Sequence, residues 1–185
     1  MSFIPTILRN NTNAARMIAM VGLFLIIVPS QAARPARPKA AASRNSWRGI
    51  TPLRSTAADV AQALGIELGY EEETPVGPFK VEDGEVTFSY LTPSLAKIYR
   101  APRSMVGKVF TIYFKPDAVM SRADLKLAAD FKRCTEEMSR SYYYFVSSAG
   151  VAYQLRRSDD GLETIIYQPT RAEVQRLAVN TECVF

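Results

Sequence analysis

The 185-residue chain contains no histidine. A serine–histidine–acid or cysteine–histidine nucleophile system therefore has no base to work with, and zinc sites built on imidazole are excluded too. The only two cysteines, Cys134 and Cys183, are too few for a cysteine-only zinc site. The glycines never fall in the Gly-x-x-x-x-Gly-Lys or Gly-x-Gly-x-x-Gly spacing that cradles phosphates. Ser94-Leu95-Ala96-Lys97 matches the Ser-x-x-Lys pair of penicillin-binding enzymes, but the Lys-Thr-Gly element those enzymes also need does not occur. Carboxylates are plentiful, yet Glu71, Glu72 and Glu73, Glu82 and Asp83, and Asp159 and Asp160 all fall in expected loops, where acids serve solubility rather than acid–base work. No catalytic residue, cofactor site or metal site is expected, and the protein is read as not an enzyme.

Long apolar runs are also scarce. The longest, residues 17–28, stops at Pro29, short of the ~20 residues that span a bilayer. Arg9 and Arg16 precede it and Ser30-Gln31-Ala32 follows it. Basic, apolar, then small-x-small is the order of a secretory signal, so residues 1–32 are predicted to be removed by cleavage near Ala32. No transmembrane segment then remains, and the expected location is periplasmic or extracellular. Cleavage takes two of the 23 basic residues and none of the 18 acidic ones, so the net charge falls from +5 to +3. Arg34, Arg37, Lys39 and Arg44 lie among alanines and two prolines in residues 33–46. That composition cannot bury a core and reads as a basic linker able to touch an anionic surface weakly. With so small a net charge, nucleic acid is not an expected partner.

Residues 47–185 form the predicted folded body. In an oxidising compartment a Cys134–Cys183 disulfide is the natural expectation, the alternative being two unrelated thiols. Thr56 with Asp59 three residues on, Val60 and Leu64 four apart, and then Gly65 spell a capped short helix. Residues 69–78, rich in Glu, Gly and Pro, read as a loop. Alternation in residues 86–90 predicts a strand, followed by strands at 109–114, 142–146, 151–155 and 162–167, with a hairpin turn at 158–161. Residues 93–103 read as a loop with a single helical turn. Ser121 is expected to cap a second helix carrying Leu125, Leu127, Ala128 and Phe131. Thr170 is expected to cap a last one carrying Val174, Leu177 and Ala178.

An internal echo joins these elements. Ile112-Tyr113-Phe114-Lys115-Pro116 leads to Ser121-Arg122-Ala123-Asp124-Leu125, as Ile166-Tyr167-Gln168-Pro169 leads to Thr170-Arg171-Ala172-Glu173-Val174. The predicted fold is α+β: an antiparallel sheet of about four to six strands with short helices packed on one face. A division into two tandem helix–hairpin modules, 47–116 and 117–185, is the alternative to a single body.

The opening built on Trp47, Gly49, Ile50, Pro52, Leu53, Ser55, Thr56, Asp59, Val60, Leu64 and Gly65 resembles that of a family of uncharacterised exported bacterial proteins. The capped helix followed by a hairpin is more distantly similar to BamE-like outer-membrane assembly lipoproteins and to β-lactamase-inhibitor-like modules. That resemblance implies helices on an antiparallel sheet and a role in holding another protein. The lipid-anchoring cysteine of the BamE type does not occur here.

Tyr142-Tyr143-Tyr144-Phe145 puts two rings on each side of its strand. One pair can fill the core, and the other is the candidate contact for a partner, tyrosine offering a large area with a polar tip. Trp47 is expected to pin the first helix to the sheet. The expected function is a non-enzymatic, exported protein-binding module whose partner is an unidentified envelope protein. The runner-up is a structural envelope factor held by its basic tail on an anionic surface, and a small hydrolase using loop carboxylates is the third reading.

Overall fold

Three capping boxes set the local structure. The computed structural model describes residues 45–68, 75–134 and 140–177. The expected signal segment, most of the basic linker, Glu71, Glu72, Glu73, Ala178 and Cys183 lie outside those residues. At the first box the Thr56 N–H donates to Asp59 Oδ2 at 2.7 Å and the Asp59 N–H donates back to Thr56 Oγ1. Helix α1 (Ala57–Leu64) follows, buries Ala57 and Val60, and ends on Gly65 at φ 68°. At the last box the Thr170 N–H donates to Glu173 Oε2 at 2.9 Å and starts α3 (Arg171–Arg176), which buries Val174, with Leu177 buried just beyond it.

The middle box forms as well, with the Ser121 N–H donating to Asp124 Oδ2 at 2.8 Å, but the expected second helix does not follow. Only a 3-10 turn, Arg122–Asp124, is made before the chain leaves helical structure for a bend and a turn. The apolar spacing explains the correction. Leu125 and Leu127 are two apart, which opposes them on a helix but aligns them on an extended chain. Both pack in one cluster with Phe131, Tyr143, Phe145, Leu155 and Leu162.

Seven strands form one antiparallel sheet: β1 (Val76–Val81), β2 (Gly84–Tyr90), β3 (Val109–Pro116), β4 (Lys132–Cys134), β5 (Tyr142–Val146), β6 (Val151–Arg156) and β7 (Leu162–Tyr167), in the order β1-β2-β3-β7-β6-β5-β4. The α+β class stands, with more strands than the four to six expected. The two unexpected strands are the edges. β1 contains Gly77 and Pro78, which read as loop, and the ladder accommodates them by a register shift between Val76 and Phe79. β4 is three residues long and opens with Lys132 and Arg133, too short and too polar to show a period.

The registers on the two sides of the sheet centre match each other. In β2–β3, Phe88 faces Ile112 and Ser89 faces Thr111, then a shift sets Tyr90 opposite Val109. In β6–β7, Tyr153 faces Ile165 and Gln154 faces Thr164, then a shift sets Leu155 opposite Leu162. β3 and β7 pair about the Tyr113–Ile166 position, with Ile112 facing Tyr167 and Phe114 facing Ile165. The cap residues repeat the relation, Thr56 bridging to Lys108 and Ser121 to Gly161. Matching bonds close both hairpins: Leu91 N–H to the Lys108 carbonyl, and Arg156 N–H to the Gly161 carbonyl. What differs is the span between. Residues 157–160 make a tight turn, whereas residues 92–107 hold helix α2 (Pro93–Ile98) and a 3-10 turn, Arg103–Met105.

The helices are rooted in two hydrophobic clusters. Ala57 and Val60 of α1 pack with Trp47, Phe88, Ile112 and Phe114. Ala96 of α2 and Leu177 after α3 pack instead with Leu53, Leu91 and Phe110, the residue set apart from Val109 by the bulge. Among the described residues no helix is long and apolar enough to cross a membrane.

Candidate functional site

The aromatic strand faces inward. Tyr143 is 2 % exposed and Phe145 7 %, both in the cluster that Leu125 and Leu155 share. Tyr143 Oη donates to Asp160 Oδ1 at 2.6 Å, and the phenol is held above its ordinary range by burial first and by Asp160 second. The guanidinium of Arg133 lies 4.6 Å over the Tyr143 ring, and that of Arg122 lies 5.0 Å over Phe145. Tyr144 is buried with Cys134, Ala152 and Ile166, and its hydroxyl accepts from Gln154 Nε2 at 2.9 Å. Tyr142 alone of the four is half-buried. Of the expected partner contacts Tyr142, Tyr143, Tyr144 and Phe145, three are thus buried within the fold and Tyr142 is half-buried. Neighbouring strands, the loop after Ser121 and two arginines cover the rings that were to meet a partner.

The opening motif is structural. Trp47 packs edge-on against Phe88 at 5.8 Å and beside Phe114 at 6.1 Å, in the cluster that also holds Ala57 and Val60. Pro52 is fully buried, and Gly49 turns the chain at φ 86°. Cys134 is buried at the end of β4.

Two of the loop carboxylates are engaged as ion-pair acceptors. Asp83 accepts from Arg48 at 2.8 Å, and Asp159 from Arg156 at 3.0 Å. Arg156, and then the Gly161 N–H, hold the Asp159 carboxyl below its ordinary range, opposite to the raised value a general acid needs. Ser94 and Lys97 are both exposed on α2, and neither side chain hydrogen-bonds to a described residue. Among the described residues no three acidic or thiol side chains gather where a cation could sit.

The sheet edge at β1 is guarded. Pro78 offers no N–H, and Lys80 is exposed there, 3.0 Å from Asp117.

The surface feature that the fold leaves without an internal role is the lobe of residues 91–108. Its root is apolar: Leu91 and Ala96 are buried against Phe110 and Leu53, and Tyr99 stacks on Phe110 with ring centres 5.3 Å apart. Lys108 Nζ donates to the Arg54 carbonyl at 3.1 Å and ties the lobe to the lead-in of α1. Its outer surface is cationic. Lys97, Arg100 and Arg103 are exposed and form no ion pair with any described residue. Ile98 stands among them, 69 % exposed. A cleft of about 900 Å³ opens there, with Pro93, Ala96, Ala101 and Val106 for its apolar walls and the three cations around it.

One backbone detail sharpens the picture. α2 ends as α1 does: the Ala101 N–H reaches back to the Ala96 carbonyl at 2.8 Å, as the Ile66 N–H reaches the Ala61 carbonyl at 3.1 Å. In α1 the left-handed position of that motif is Gly65, whereas in α2 it is Arg100 at φ 52°. A non-glycine residue there costs ~1 kcal/mol, so the sequence carries an arginine where glycine would fit the fold better.

Reading the sequence for aromatics passed over Lys97, Ile98, Arg100 and Arg103. Their signal was nonetheless present. Residues 86–116 contain no Asp or Glu, and cations recur at 97, 100 and 103. Comparison of the chain with protein-family models, with curated proteins and with solved structures finds no match.

Proposed function

We propose that this chain is a non-enzymatic binding protein of the cell envelope. It is exported by a signal cleaved near Ala32, works in the periplasm or outside the cell, and attaches to an anionic envelope component through the lobe of residues 91–108. The observation that carries the reading is the group of exposed cations Lys97, Arg100 and Arg103, which form no ion pair among the described residues and line one cleft, with the exposed Ile98 next to Lys97 in the chain. Unpaired cations on a stretch of chain without acids produce a local positive potential that attracts negative partners. The matching hairpin on the other side of the sheet turns tightly at residues 157–160, so the ladder does not need the lobe in order to close. With Tyr143 and Phe145 buried, the weight moves from an aromatic protein-binding face to an anionic surface contact, which the basic linker at 33–46 would reinforce.

Two structural proposals accompany it. The matched bulges in β2–β3 and β6–β7, and their pairing about Tyr113 and Ile166, support a tandem duplication into modules 47–116 and 117–185. Export into an oxidising compartment supports a Cys134–Cys183 disulfide.

The test is retention of the full chain on isolated envelope material across a salt series, against the variant Lys97→Gln/Arg100→Gln/Arg103→Gln. Retention that falls with salt and is lost in the variant, while Trp47 keeps its buried emission, is the expected result. Equal retention of the variant and the wild type removes the lobe from the function.

A further inference from the structure

We infer that the surface the lobe meets is a lipid bilayer carrying anionic headgroups, with Ile98 entering the boundary between headgroups and acyl chains. This inference rests on the binding role assigned to the lobe above, and adds to it the identity of the partner. Charge alone would suit an acidic protein, an anionic wall polymer or a membrane. Ile98 sets the polymer aside. A hydrated polymer presents no apolar layer, so an isoleucine held 69 % exposed next to Lys97 and two residues before Arg100 would gain nothing from it. A bilayer interface provides both layers in the order that the lobe offers them. Phosphates meet the guanidinium and ammonium tips, and the acyl boundary just beneath meets the apolar side chain.

The geometry suits that depth. Lys97 and Ile98 are consecutive at the end of α2, Arg100 follows in the left-handed turn, and Arg103 opens the next 3-10 turn. Long basic side chains can reach up to phosphates while a neighbouring apolar side chain points further in. The root of the lobe is fixed to the sheet by Leu91, Ala96 and the Tyr99–Phe110 stack, so the anchor is pre-shaped rather than ordered on contact. No Asp or Glu between residues 86 and 116 opposes approach to a negative surface. The basic residues at 34, 37, 39 and 44 supply a second contact of the same sign, which a single shallow anchor needs for stable attachment.

The test must separate the lobe from the apolar run near the N-terminus, so the reporter is placed in the lobe itself. The chain has one tryptophan, Trp47, which is buried and gives a constant background. Full-length protein carrying Ile98→Trp is titrated with phosphatidylcholine vesicles, with and without phosphatidylglycerol, and its emission is followed. The inference predicts a blue shift on the anionic vesicles alone. Each Lys or Arg changed to Gln should weaken the lobe's partition about fivefold. In sedimentation on the same vesicles, Ile98→Ser should bind about five- to tenfold less than wild type. Lobe-dependent retention on envelope material without a blue shift on anionic vesicles overturns the lipid assignment and leaves an acidic protein or polymer as the partner. Absence of lobe-dependent retention on any envelope fraction overturns the binding role as well.

Discussion

Arg100 is where the demands of fold and surface separate. Gly65 ends α1 under the same five-residue back-bond that closes α2 over Arg100, so the preferred residue for that position stands in the same chain. Arg100→Gly is therefore expected to raise stability by ~0.5–1 kcal/mol while weakening attachment to the envelope surface; urea unfolding reads the first effect and retention the second. A substitution that improves the fold and harms binding cannot be explained as damage to the fold. Tyr143 behaves in the opposite way. Tyr143→Ala empties a core site and should cost ~3–5 kcal/mol, and Tyr143→Phe should cost ~1 kcal/mol through the lost bond to Asp160. If Tyr143→Ala unfolded at the same urea concentration as wild type, the burial described here would be wrong. Gly150 offers a third test at this scale. At φ 84° an added Cβ would run into the Gln168 carbonyl and crowd Pro169, so Gly150→Ala should cost ~2 kcal/mol or more.

Titration follows the same residue logic. Lys115 at 3.0 Å and Arg156 at 2.8 Å hold the Glu163 carboxyl below its ordinary range. A depressed folded-state value contributes stability above the unfolded pKa and loses it as pH falls through the folded one. Glu163→Gln should flatten the decline in stability below roughly pH 4.3. At the other extreme burial, then Tyr153 and Asp83, push the Tyr167 phenol up to about 12. The raised value contributes stability below the unfolded pKa of ~10 that is lost as pH climbs through the folded one. Tyr167→Phe should remove that alkaline loss, and thermal unfolding across pH measures both effects.

Elements were legible where one local signal sufficed. The boxes at Thr56 and Thr170 named their helices because the cap, the acid three residues on and the apolar face all agreed. Ser121 shows the limit. Its acid reaches back to the cap as in the other two, with bonds of 2.7 and 2.8 Å to Asp124, yet the spacing of Leu125 and Leu127 does not suit a helix and only one 3-10 turn forms. Cap chemistry states where a helix can begin, and the apolar period decides whether it continues. Removing a cap should accordingly cost more where a helix depends on it. Thr56→Ala is expected to lose ~1 kcal/mol and Ser121→Ala less, as chemical denaturation would report. The edge strands β1 and β4 were not legible, because Pro78, Lys80 and Lys132 are edge-protecting residues that read locally as loop.

At the scale of the whole molecule, the echo between the proline-stopped strands pointed toward the matched registers about Tyr113 and Ile166. Sequence reading offered Tyr142–Phe145 as the contact surface, and three of those four rings are buried in the fold. Consecutive aromatics reveal alternation between two sides of a strand, but not which side the rest of the chain will cover. The lobe was hidden for a related reason: its two prolines and mixed polarity read as loop, and its significance emerges only beside the matching hairpin, which closes without one. The proposed Cys134–Cys183 pairing would likewise be a property of the whole chain. Peptide mapping without reductant is expected to recover the two cysteine peptides as one linked species, and reduction should cost ~4 kcal/mol for a loop of this length. Separate alkylated peptides from both cysteines would refute the pairing.

The most direct test of the central claim compares Arg100→Gly with wild type for retention on envelope membranes at low salt, alongside their urea midpoints. The account predicts a midpoint at or above wild type together with retention about fivefold weaker. Unchanged retention in a variant of equal or greater stability would contradict it, because the lobe's cations would then have no part in what the protein binds.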